Sequence, residues 1–188
     1  MSKVIMFNLI TLDGYFEGMN KWDIAWHSVD DEFNQFSIEQ LDTASGLIFG
    51  RVTYEGMASY WPTPAAINDD PTVAAKMNSI PKYVFSRTLE KADWSNTQLI
   101  KGDAVDELRK LKQRSNKDLF IFGSANLSAT FTNHRLIDEY RLMVNPVILG
   151  TGGALFQVNG KDLKFNLLNT KVFKNGNVLL TYQPATSA

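Results

Sequence analysis

Leu47-Ile48-Phe49 runs without a break into Gly50-Arg51-Val52-Thr53-Tyr54-Glu55. An apolar strand meets a single glycine, and a helix opens directly after it. A strand that hands over to a helix in this way belongs in a sheet covered by helices, with neighbouring strands running parallel. The same junction gathers unpaired backbone N–H groups, the positive end of a helix dipole, a hydroxyl and a guanidinium. That set suits a phosphate. A glycine between strand and helix is also a common turn with no ligand.

The rest of the chain repeats the pattern. Residues 3–10 form a nearly continuous apolar strand, as expected for burial on both faces. Residues 82–86, 98–101 and 119–122 read as further strands. Phe33, Phe36, Ile38 and Leu41 give residues 31–44 one apolar helical face, and Val105, Leu108 and Leu111 mark another helix. A helix over 53–60 stops near Trp61-Pro62-Thr63-Pro64. Pro71 opens a helix through Val73, Met77 and Ile80. Gly123-Ser124-Ala125 leads into a helix that reaches residue 133. Residues 20–30 and 65–70 lack periodicity and are expected as loops. Residues 140–144 open the later strands. Asn175-Gly176, between 170–173 and 178–181, predicts a tight hairpin. The expected fold class is α/β in one domain over residues 1–188, with a mostly parallel sheet and an antiparallel C-terminal edge.

Composition narrows the function classes. The 188 residues are 44% hydrophobic and 21% charged, enough for a sizeable core. A net charge of -1 gives no pull toward nucleic acid or a membrane surface. The chain has no cysteine, which removes disulfides, thiolate catalysis and cysteine zinc sites. Its two histidines, His27 and His134, stand at no ligand spacing. Asp13 and Glu17 follow the first apolar run too soon for a signal peptide, and no run reaches a membrane span, so a cytoplasmic location is expected. A Ser-His-Asp hydrolase built on Ser124 fails on order: no acid lies between Ser124 and His134, and no histidine follows.

In a parallel α/β sheet, ligands gather beyond the carboxyl ends of the strands. The first strand ends in Thr11-Leu12-Asp13-Gly14, the second in Gly50-Arg51-Val52-Thr53, the third in Ser86-Arg87, and the fifth in Gly123-Ser124-Ala125-Asn126. Ser86 and Arg87 suit either a ribose 2′-phosphate, which selects NADPH over NADH, or an ordinary surface position after a strand. Gly123, Ser124 and Ala125 leave room for a cofactor backbone, or for close helix–strand packing. No G-x-G-x-x-G occurs. Asp13 is the only carboxylate of its loop. It is a candidate to orient a substrate or carry a proton, or else half of an Asp-Gly turn with Gly14. Trp22, Trp26, Tyr54, Tyr60 and Trp61 are walls for a flat heterocycle, or core and rim packing. Asp13, Gly14, Trp22 and Trp61 make up the expected substrate side. Gly150-Thr151-Gly152-Gly153 wraps a phosphate or turns the chain, and lacks the lysine of a P-loop.

These strand ends, taken in order, resemble a known family. Thr11-Leu12-Asp13-Gly14-Tyr15 looks like its Ser/Thr-Leu-Asp-Gly loop, and Gly50-Arg51-Val52-Thr53-Tyr54-Glu55 like its Gly-Arg-x-Thr-Tyr-Glu. Residues 81–89 resemble its Lys-x-Val-x-Ser strand. Leu136-Ile137-Asp138-Glu139, Pro146-Val147-Ile148-Leu149-Gly150 and Leu155-Phe156 resemble its later half. The family is the dihydrofolate reductase-like superfamily, in the branch of the bacterial riboflavin-biosynthesis reductase (RibD) C-terminal domain.

The resemblance covers nearly the whole chain. It implies a three-layer dihydrofolate reductase-like fold with an eight-stranded sheet, NADPH as hydride donor, a small-molecule substrate and often a homodimer. It implies Gly50, Arg51 and Thr53 at the pyrophosphate, Ser86 and Arg87 at the 2′-phosphate, and Gly123, Ser124, Ala125 and Asn126 along the nicotinamide half. Asp13 faces the substrate side. The riboflavin reductase itself acts on 5-amino-6-(5-phosphoribosylamino)uracil. Bifunctional relatives add a zinc deaminase domain that needs cysteine ligands, so only the reductase half fits here. One departure stands out: Gly123-Ser124 replaces the family's Gly-Gly, and a serine side chain is expected to narrow the cofactor channel. An NADP-binding protein or sensor without turnover is the alternative.

Overall fold

The structure is a computed structural model and describes residues 2–156 and 162–185. In chain order the elements are β1 (Val4–Ile10), β2 (Tyr15–Glu17), α1 (Asp31–Asp42), β3 (Ala44–Gly50), α2 (Arg51–Tyr60), α3 (Pro64–Asp69), α4 (Pro71–Ser79), β4 (Lys82–Phe85), β5 (Thr97–Ile100), α5 (Ala104–Arg114), β6 (Asp118–Phe122), α6 (Ala125–Asn133), β7 (Glu139–Val144), β8 (Gly153–Ala154), β9 (Phe165–Val172) and β10 (Val178–Pro184).

Among the described residues, eight strands form one sheet in the order β5-β4-β3-β6-β1-β7-β10-β9. Every pair from β5 to β7 is parallel, and β7–β10 and β10–β9 are antiparallel. The apolar runs explain the placement of the central strands, since alternate residues fill opposite faces. Val4 and Met6 of β1 join Leu108 and Leu111 of α5 and Phe131 of α6 on one face. Ile5 joins Leu41 of α1, Tyr54 of α2, and Val73 and Met77 of α4 on the other. Phe7 meets Phe36 of α1 in a third cluster with Met143 and Phe173. The result is three layers, with helices on both faces of one sheet. No helix among the described residues is long and apolar enough to cross a membrane.

Several local expectations need correction. Residues 65–70 are not a loop: Thr63 caps α3 by accepting the Ala66 N–H, and Pro64 starts it. The first helix stops at Asp42, and Ala44 already belongs to β3. Tyr15 leaves the first loop to enter β2, which pairs antiparallel with β8 in a small second sheet. Gly152 allows this pairing, because a Cβ there would lie 2.4 Å from the Glu17 carbonyl oxygen. Short elements of this kind carry too few residues to show a period.

Candidate functional site

The sheet order sets the site. The β3–β6 and β6–β1 neighbours bring three of the four strand ends together, and β4 carries Ser86 and Arg87 one strand further out. Helix starts differ in an informative way. Asp30, Thr63, Asp70 and Asp103 cap α1, α3, α4 and α5 with side-chain oxygens. The starts of α2 and α6 have no side-chain cap. Their first N–H groups therefore point outward with the positive ends of their dipoles.

These two starts touch. A Cβ placed on Gly123 would lie 3.3 Å from Thr53 Cγ2. Gly123 and Ser124 both have left-handed backbones, with φ of +60° and +61°. That backbone explains why glycine suits both places. Ser124 adopts it because its Oγ accepts the Gly50 N–H at 2.9 Å. The side chain thus bridges the two turns and leaves its own hydroxyl proton free to donate. Arg51 sits at the first position of α2, half-exposed, with Glu55 one turn on at 3.2 Å.

Ser86 Oγ accepts the N–H groups of Thr88 and Leu89 at 3.2 and 2.9 Å, which turns the chain after β4. Beside it opens a cleft of about 580 Å³ lined by Ser86, Arg87, Asp103, Arg109, Leu127 and His134, among others. The α5 amides, that of Asp106 foremost, hold the Asp103 carboxyl below the usual carboxylate range, and the charges of Arg87 and His134 act the same way. Asp103 was missed in the sequence, although Gly102-Asp103 follows the strand β5 as the other pairs follow theirs.

The Asp13 carboxylate accepts hydrogen bonds on both oxygens. It accepts the Thr11 hydroxyl at 2.6 Å and the N–H groups of Gly150 and Leu149 at 2.7 and 3.4 Å. The Thr11 hydroxyl first, and then the two amides, hold its carboxyl below the ordinary range. Asp13 thereby ties the first strand-end loop to the glycine-rich turn at 150–153. Gly14, at φ +85°, faces open space.

Trp22 and Trp61 sit differently. Trp22 packs on α2 at Gly56, where a Cβ would come within 1.9 Å of its Cζ2. The 18–30 segment is thus docked on the helix that begins at Gly50. Its far end is fixed by Ser28, whose carbonyl accepts the side-chain amides of Asn175 and Asn177. Trp61 closes α2 at the other end. Its indole N–H donates to Met57 Sδ and its carbonyl accepts from Asn78, so it packs against the second core cluster. His27 follows Trp26 edge-on in the docked segment, and burial pushes its imidazole down to about 4.

This edge has the features that bind anions. Two uncapped helix starts meet over a pair of left-handed residues, and a cleft lined by Arg87, Arg109, Asp103 and Asp106 opens alongside them. The chain matches the RibD C-terminal domain over residues 2–179. It is 33% identical over 186 residues to YyaP, an uncharacterized protein of Bacillus subtilis (strain 168), covering 96% of this chain and 94% of that one. Its fold is similar to that of a putative riboflavin biosynthesis protein from Shewanella sp. PV-4, with a TM-score of 0.74, 24% identity, and 98% and 99% of the two chains covered. It is also similar to that of dihydrofolate reductase from Enterococcus faecalis complexed with NADP(H), with a TM-score of 0.65, 13% identity, and 98% and 97% covered. The chain has a dihydrofolate reductase-like fold and belongs to the RibD C-terminal domain family.

Proposed function

We propose that the protein is an NADPH-dependent reductase acting on a small heterocyclic or sugar-phosphate substrate, in the manner of 5-amino-6-(5-phosphoribosylamino)uracil reduction. The observation that carries this reading is the meeting of the uncapped starts of α2 and α6 at Gly50, Thr53, Gly123 and Ser124. Anions bind where unpaired N–H groups and helix dipoles converge. When bound, NADPH supplies a hydride.

The residues divide the remaining work. Gly50, Arg51 and Thr53 receive the pyrophosphate. Ser124 does not obstruct them: its Oγ is already turned toward Gly50, and its O–H donates to the anion. Arg87 takes the 2′-phosphate in the cleft beside Ser86, where its planar guanidinium offers paired donors. Gly123, Ala125 and Asn126 give the nicotinamide half a close approach to backbone. Asp13 and Gly14 stand on the substrate side with Trp22, while Trp61 anchors the far end of α2 against the second core cluster and takes no part in the site. Positioning of two reactants accounts for most of such catalysis. Two copies associate through β9, which ends the sheet with Leu167, Leu168 and Val172 exposed.

Steady-state assays that follow NADPH absorbance with pyrimidine, pterin and carbonyl substrates test the reading. Substrate-dependent oxidation supports it. One observation favours the alternative of binding without turnover: hydrogen bonds to both oxygens of the Asp13 carboxyl hold it below the ordinary carboxylate range, which makes it a poor proton donor. Tight NADPH binding with no oxidation across that panel selects the alternative.

A further inference from the structure

Asn8 interrupts the apolar run of β1. It is only 4% exposed, and its Oδ1 is buried with no hydrogen-bond partner among the described residues. A buried side-chain carbonyl without a donor is costly, so such an atom in a folded protein calls for an explanation. Its position supplies one. The parallel β1–β6 register ends at Phe7 opposite Phe122, and one step further Asn8 stands beside Gly123. On the other side Asn8 pairs with Leu142. Met6 and Leu142 belong to the face covered by α5 and α6, and strand alternation directs Asn8 to that same face. Ala125, the first residue of α6, lies on it too. The orphaned carboxamide therefore borders the turn that leads the nicotinamide half of the proposed cofactor track.

We infer that Asn8 is a binding residue for the carboxamide of the nicotinamide ring. A primary amide carries a donor and an acceptor side by side, and its best complement is another amide with the opposite order. The ring carboxamide offers the N–H that Oδ1 lacks. Pairing the two fixes the rotation of the carboxamide and holds the ring at the ends of β1 and β6. This inference rests on the NADPH reading above, and it adds a residue that nothing in the strand-end motifs marks.

The test is equilibrium binding, read by protein fluorescence, with three probes: NADP⁺, its 3-acetylpyridine analogue, and 2′-phospho-ADP-ribose. The acetyl group keeps the ring carbonyl and removes the amide N–H. 2′-Phospho-ADP-ribose lacks the ring altogether. Wild-type protein is expected to bind NADP⁺ about tenfold more tightly than the acetyl analogue, the worth of one desolvated hydrogen bond. Asn8→Leu is expected to bind both alike and to bind 2′-phospho-ADP-ribose as wild type does. The wild-type comparison needs no variant, so it stands even if Asn8→Leu folds poorly. Equal affinity of wild-type protein for NADP⁺ and its acetyl analogue, with 2′-phospho-ADP-ribose bound, overturns the role of Asn8 and leaves the cofactor reading intact. Failure of all three probes to bind overturns both.

Discussion

Ser124 Oγ accepts the backbone N–H of Gly50 at 2.9 Å across 74 positions of sequence. The bond joins the turn after β3 to the turn after β6. It also stabilises a non-glycine residue in a left-handed backbone, which ordinarily costs about 1–2 kcal/mol. The departure from Gly-Gly is thus a substitution with its own compensation, because the side chain that strains one turn ties down the other.

That balance predicts opposite outcomes for two small replacements. Ser124→Ala keeps the strained backbone and loses the acceptor, so it should destabilise the protein by about 1–2 kcal/mol. Ser124→Gly loses the same bond but relieves the strain, and should stay within about 0.5 kcal/mol of wild type. Urea denaturation of the two variants measures both.

Lys82 gives a second prediction, on stability alone. It is fully buried, and its Nζ donates to the carbonyls of Met77, Asn78 and Ile80 at 2.8, 3.1 and 2.8 Å, closing the end of α4. Lys82→Met leaves the three carbonyls without this donor and should cost about 2–3 kcal/mol at neutral pH. Burial pushes the Lys82 ammonium down to about 8 from an ordinary 10.5. Between those values the unfolded chain binds more protons than the folded one, so this group's contribution to stability rises with pH. The gap between wild type and Lys82→Met should therefore widen from about pH 8 to pH 10, as measured by denaturation at each pH.

Asp13 should behave as a positioning residue. Asp13→Ala releases Gly150 and Leu149 from the first strand-end loop. The KM for substrate should rise about tenfold while NADPH affinity holds, since a displaced loop spoils alignment rather than cofactor binding. Its carboxyl lies below the ordinary 3.8, so its anionic form is present at all higher pH and is lost only below that value. The kcat profile of wild type should then show no inflection between about pH 5 and pH 8 that disappears in Asp13→Asn.

Much of this could be read from the residues. A nearly continuous apolar run in β1 and an unbroken one in β6 announced a doubly covered sheet, and Asn175-Gly176 announced the β9–β10 hairpin. Strand ends carrying Gly50, Arg87 and Gly123 were visible because glycine and arginine after a strand are unusual enough to notice. What escaped depends on distant partners. The Ser124–Gly50 bond, Trp22 lying on Gly56, and the β2–β8 pair all join segments whose local sequence is silent about each other. Asn8 escaped for another reason, since one polar residue does not break an apolar strand pattern.

The edge strand β9 offers a test of assembly. Leu167 and Leu168 are 54% and 47% exposed on a strand that, among the described residues, pairs with β10 alone. Light scattering should report a dimer, and Leu168→Lys should yield a monomer that still binds NADPH, because a charge on an edge strand opposes pairing between copies.

Arg87 carries the central claim, that this edge of the sheet holds NADPH. Equilibrium titration of wild type and Arg87→Ala with NADPH and with NADH tests it most directly. The 2′-phosphate is the only difference between the two ligands, and Arg87 lines the cleft beside Ser86. Wild type should bind NADPH at least about tenfold more tightly than NADH, and Arg87→Ala should lose most of that preference while its NADH affinity holds. Equal affinity of wild type for the two ligands, or no binding of NADPH at high micromolar concentration, would contradict the account.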